Sequence, residues 1–198
     1  LSLWQNITYM SLSKNTDNIL FGKNPRLKDE FNRLFNAIFT NPEECKKIIR
    51  LLALKHNGYT REEIAQKSGL PYGGGLSTTL AALIESDFIE RYTPFNETLH
   101  HERYKLTDNF CLFWLKFVEP NNSDTSFMTD NITSKIMESW RGITFEETCW
   151  QHITQLKHAL GINGIKSKIS SWSIKGNDIT NGAQIDLLII RDDNVINL

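Results

Sequence analysis

Residues 58–92, GYTREEIAQKSGLPYGGGLSTTLAALIESDFIERY, together with residues 102–106, ERYKL, decide how the rest of the chain is read. Thr60 and Glu63 have the spacing of a capping box, in which the Thr hydroxyl and the Glu carboxylate each satisfy a backbone N–H left open at a helix start. The short helix opened there carries Ile64 and Ala65 and is expected to end at Ser68-Gly69. Leu70 to Gly75 turns the chain, after which Leu76, Leu80, Leu83 and Ile84 recur at helical spacing. Beyond Ser86-Asp87 the period changes to two. Phe88 to Tyr92 and Arg103 to Leu106 read as a strand and its return, around a polar tip at Asn96 to His101.

Working outward, Leu27, Phe31, Leu34, Phe35, Ile38 and Phe39 form one apolar helical stripe upstream. Asn41-Pro42-Glu43-Glu44 has the residues of a helix start, and the helix through Ile48, Ile49, Leu51 and Leu52 is expected to stop near Gly58. Three helices, a glycine-containing turn before the third, and then a hairpin make a winged helix-turn-helix pattern. Downstream, Thr107-Asp108 caps a helix bearing Phe110, Phe113, Trp114 and Phe117, a stripe expected to pack inward. Glu119 to Ser126 has no apolar residue except Pro120 and reads as an exposed linker. A helix is expected from about Ser134 to Leu160, with Trp140, Phe145, Cys149 and Ile153 inward. Lys166 to Trp172 reads as a strand, Gly176 to Gly182 as a polar loop and Ala183 to Ile190 as an apolar strand. Arg191 to Asn194 then reads as a turn, and a further strand begins at Val195. The expected class is mostly α with α/β. A helical segment (1–42), a winged helix-turn-helix with its aromatic helix (43–118) and a linker (119–133) precede an α/β unit (134–198) that stops in mid-strand.

The composition sets outer bounds. The 198 residues are 40% hydrophobic and 23% charged, with a formal net charge of −1, as in a globular protein without a whole-molecule attraction to nucleic acid or anionic membrane. No run approaches the roughly 20 apolar residues of a membrane span. The start has neither the basic region nor the cleavage site of a signal peptide. Cys45, Cys111 and Cys149 are dispersed, as reduced thiols are, and the expected location is the cytoplasm.

Two acids stand out chemically. Asp186 interrupts the apolar strand Gln184 to Ile190, where a carboxylate needs a cationic, metal or N–H partner. Glu146 lies on the preceding helix, so a helix acid and a strand acid can face each other across an α/β core and hold a divalent cation. Gly73-Gly74-Gly75 has no following Lys and reads as turn flexibility; His152 and His158 do not share the i, i+4 face of a helical metal pair.

The segments WRGITFEETCWQHITQLKHALGI (140–162) and GAQIDLLIIRDDNVINL (182–198) resemble the carboxyl-terminal domain of a family of bacterial and archaeal AAA-type ATPases, a domain similar to PD-(D/E)XK nucleases. The winged-helix pattern resembles that of the same proteins, and residues 1–13 with 26–35 resemble the end of their ATPase lid. The resemblance implies that Glu146 and Asp186 are catalytic Mg²⁺ ligands. An acid-x-Lys completing the site is then expected just after Leu198. ATP would bind an ATPase domain preceding this chain, which has no G-x-x-x-x-G-K-[ST] of its own. The implied partners are that ATPase domain and DNA, with no membrane; the fragment itself is expected to be inactive.

For DNA, the candidate contacts are Tyr72, Ser77 and Thr78 around the third helix, and Arg91, Arg103 and Lys105 on the wing. Ser68 to Glu90 contains no Lys or Arg, so little counterion-releasing charge is available there. The alternative is a non-enzymatic regulator or protein-interaction module. A lone transcription factor is disfavoured by the same uncharged helix.

Overall fold

A computed structural model describes residues 9–95, 97–174, 176, 181–192 and 195–197. Helix α1 (Leu12–Thr16) runs into a π-helical turn, and α2 (Glu30–Ile38) follows. Pro25 to Asp29, at the start of the expected stripe, forms turns instead. Phe31 and Phe35 are buried and Ile38 points out. Phe39 returns inward because the chain becomes extended there.

Helix α3 (Pro42–Leu52) leads to the short strand β1 (Tyr59–Thr60) through Gly58. Gly58 has φ +65°, and a Cβ there would lie 2.0 Å from the Tyr104 carbonyl oxygen, so the bend onto the neighbouring strand admits only glycine. Thr60 and Glu63 form the complete capping box of α4 (Arg61–Ser68), which closes at Gly69 in the left-handed conformation. Helix α5 (Gly74–Glu85) presents Leu76, Leu80 and Leu83 inward. Strands β2 (Ile89–Tyr92) and β3 (Arg103–Leu106) then pair antiparallel, Ile89 opposite Leu106, and β3 lies between β1 and β2.

Helix α6 (Asn109–Phe113) starts on the Asp108 carboxylate, which accepts from the Cys111 N–H, and continues as a π-helical turn to Val118. The stretch read as a linker divides in two. Residues 119–126 are turns, but α7 (Phe127–Asn131) folds back onto α1. Phe127 stacks on Phe21 at 5.0 Å, and Met128, Met137 and Trp140 join the same core as Phe31, Phe35 and Trp114. Aromatic burial thus carries one core across the polar connection as far as Trp140, while Trp150, Leu188 and Ile189 are buried outside that cluster.

Helix α8 (Lys135–Gln151) buries Met137, Trp140, Glu147 and Trp150. The expected inward set through Phe145 is therefore corrected: Phe145 is 69% exposed, because the face that meets the core runs at i, i+3, i+10 and i+13 from Met137. The helix breaks at His152 before α9 (Ile153–Ala159). Strands β4 (Ser167–Ile174), β5 (Ala183–Arg191) and β6 (Ile196–Asn197) form an antiparallel sheet in that order. Ser170 pairs with Leu188 and Trp172 with Ile185, so β5 carries one extra residue, a bulge at Asp186-Leu187. The sheet hangs on the segment that follows β2: Phe95 N–H donates to the Ser171 carbonyl and the Ser170 hydroxyl to that of Thr93, each at 2.8 Å. The architecture is thus mixed α/β, with two three-stranded sheets. Among the described residues no helix is long and apolar enough to cross a membrane.

Candidate functional site

The sequence directs attention to two places, the exposed side of α5 with the β2–β3 hairpin, and the pair Glu146 and Asp186. At the first, Arg61 fixes the turn before α5. Its guanidinium donates to the Gly73 carbonyl at 2.9 Å and lies 4.5 Å from the centre of the Tyr72 ring. Ser77 and Thr78 face outward, yet their hydroxyls donate to the carbonyls of Gly73 and Gly74, four residues back. Those protons are committed within the helix, which leaves the oxygens as acceptors, the wrong polarity for a phosphate. A cleft of about 560 Å³ separates α5 from the β2–β3 hairpin, with Tyr72, Ser77 and Arg91 on its walls. Arg91 faces Glu102 at 3.6 Å, and Arg103 is half-buried.

Lys105 is not part of this surface. It is 3% exposed, and its ammonium donates to both Glu147 oxygens at 3.1 and 3.2 Å. It also sits 3.7 Å from the centre of the Trp150 ring. The expected nucleic-acid contact at Lys105 is thus corrected: β3 is a central strand covered by α8, so a side chain that an uncovered hairpin would expose is enclosed. Burial pushes the Lys105 ammonium below its ordinary range, and Glu147 opposes that shift. Glu90, opposite Lys105 in the ladder, is pushed up by burial and by Glu147, with Lys105 pulling it down.

At the second place, Glu146 and Asp186 engage different partners. The Glu146 carboxylate meets His56 Nε2 at 2.8 Å, and His56 Nδ1 lies 3.7 Å from Glu147. The Asp186 carboxylate accepts from the Gln184 side-chain amide, while its backbone carbonyl accepts from Trp150 Nε1 at 3.0 Å. Among the described residues no group of three or more His, Cys, Asp or Glu is placed to hold a metal ion. Mg²⁺ is held octahedrally by one or two carboxylates together with waters and substrate phosphate; here the Glu146 carboxylate is engaged by His56 and that of Asp186 by Gln184, so neither is free to take one.

Sequence reading missed Glu147 and His56. Glu147 had a signal, since it follows Trp140 by seven positions and precedes Trp150 by three, on one helical face. His56 had none, because its role depends on the loop after α3 meeting a helix 90 residues away.

The chain is 28% identical over 171 residues to the uncharacterized protein MJECL04 of Methanocaldococcus jannaschii, a match covering 84% of this chain and 37% of that protein. The chain therefore spans little more than a third of that relative's length. No family model matches the chain, and no solved structure does.

Proposed function

We propose that this chain is the carboxyl-terminal docking module of an AAA-type ATPase, a winged helix joined to a nuclease-like α/β segment, and that it engages protein in preference to duplex DNA. The order α3, β1, α4, α5, β2, β3 supports a winged-helix reading. The α/β segment has its helix acid on α8 and its strand acid on β5, in keeping with a nuclease-like ancestry. With Glu146 engaged by His56 and Asp186 by Gln184, neither takes a metal-dependent role in the proposed module. ATP belongs to the ATPase part and has no site in this reading of the chain.

One observation carries the preference for protein. Of the basic wing residues, Lys105 is enclosed with Glu147 and Arg91 faces Glu102, so the α5 face offers little charge to replace counterions on a phosphate backbone. The test is fluorescence anisotropy of labelled duplex and single-stranded DNA with the full chain. We expect binding no tighter than ordinary non-specific affinity, about 10⁻⁴–10⁻⁶ M at physiological salt. Much tighter duplex binding, steeply salt-dependent and abolished by Arg91→Ala with Arg103→Ala, would overturn the preference and favour DNA as the partner.

A further inference from the structure

A second surface lies away from the α5 face. Between α3, the end of α4, the π-helical turn after α6 and α8 runs an open groove of about 940 Å³, large by the standard of ligand sites. Its lining is mainly apolar, with Leu52, Leu106, Leu112 and Trp140 buried along it. Leu54, 78% exposed, stands at its edge.

Lys47, Arg50, Lys67 and Lys116 also line it and are exposed, against a single acid, Glu119. Arg50 is engaged by Glu119. Among the described residues Lys47, Lys67 and Lys116 pair with no carboxylate, whereas the adjacent Lys46 pairs with Glu43 at 2.5 Å. In a chain of net charge −1, a groove with this surplus of cations has a local field that the whole molecule lacks.

We propose that this groove binds an acidic amphipathic helix of a partner protein, its leucine-bearing face on the apolar lining and its carboxylates against Lys47, Lys67 and Lys116. An amphipathic helix in a groove anchors through side chains at i, i+3 or i+4, and i+7, and a floor running between helices suits that spacing. Duplex DNA would use the lysines but leave the apolar lining without a counterpart. The surface and its occupant do not depend on the ATPase reading.

The test uses the full chain and a fluorescein-labelled synthetic helix carrying Leu at i, i+3, i+4 and i+7 and Glu on its outer face. Saturable binding is expected by anisotropy, with a change in tryptophan emission from Trp140. Lys47→Glu with Lys116→Glu should weaken it about tenfold or more, and raised salt should weaken the wild-type complex. Leu54→Asp, also exposed and therefore tolerated by the fold, should weaken it independently. Circular dichroism of each variant checks that folding is intact. Absence of saturable binding, or binding indifferent to these substitutions, overturns the proposal. So does equal binding of the same helix with Lys in place of Glu. Tighter binding of a duplex oligonucleotide lost on the same Lys→Glu changes would assign the rim to phosphate and overturn it as well.

Discussion

Two ion pairs join parts of this chain that are far apart in sequence, and their surroundings make them different devices. Arg50 on α3 meets Glu119 after the aromatic helix, both side chains 43% exposed. Lys105 on β3 meets Glu147 on α8, with side chains 4% and 0% exposed. The contact at the surface competes with water and salt, so its formation costs and returns little. The enclosed one has lost its water. Each charge depends on the other, with the Trp150 ring against Lys105 and Glu90 opposite it in the ladder. Such a pair is weak evidence for net stability, yet breaking it leaves a buried charge without compensation. It marks where β3 and α8 must meet.

The largest effect is therefore expected from Glu147→Ala, which strands the Lys105 ammonium against Trp150 and should cost about 3–5 kcal/mol in chemical denaturation. Lys105→Met combined with Glu147→Leu should recover most of that loss or exceed the parent, because both desolvation costs disappear. If Glu147→Ala costs no more than Arg50→Ala, the contrast between the two pairs is wrong.

Asp17 offers an intermediate case, a buried carboxylate whose partners are neutral. It accepts from the N–H groups of Met128 and Thr129 at 2.7 and 2.9 Å and from the Thr129 hydroxyl at 2.6 Å, fastening α7 to the π-helical turn that follows α1. Hydrogen bonds to charged groups are worth about 1.5–3 kcal/mol each, but they share one acceptor, so Asp17→Ala should cost about 2–3 kcal/mol by the same measurement. Thr60→Ala, which removes the hydroxyl half of the capping box, should cost about 1 kcal/mol, near the value of an ordinary helix cap.

These sites differ in how far the sequence discloses them. The capping box was legible because both members lie within four residues and answer a local need. The helices and strands between Thr60 and Leu106 were legible for the same reason, as their periods are short. Asp17 and Glu147 were not, because what satisfies each is 111 and 42 residues away. The burial of Lys105 is not legible, since alternation along β3 says nothing about what covers its second face, and here α8 does. Phe145 was misjudged because three aromatic-sized side chains on α8, Trp140, Phe145 and Trp150, offer competing faces, and the one placing both tryptophans inward prevails. At the candidate metal pair the residue types were visible, but not that His56 would take Glu146.

The smallest effect, and the one that separates the two pairs most sharply, is at Arg50–Glu119. The hydrogen bond from Arg50 holds the Glu119 carboxyl below its ordinary range, with partial burial opposing. A carboxyl depressed in this way adds stability at pH values above the ordinary carboxylate range, and the contribution is lost as pH falls through its folded value. With both partners exposed, screening should hold the loss on Glu119→Gln to about 0.2–1 kcal/mol at neutral pH. The difference between wild type and variant should stay constant down to the upper edge of the carboxylate range and vanish in stronger acid. Added salt should shrink it at neutral pH, since exposed charges are screened. The cost of Glu147→Ala, set by a charge that neither salt nor water reaches, should hardly change with salt. A Glu119→Gln effect indifferent to salt would mean that the surface pair is enclosed after all, and the distinction between the two devices would collapse.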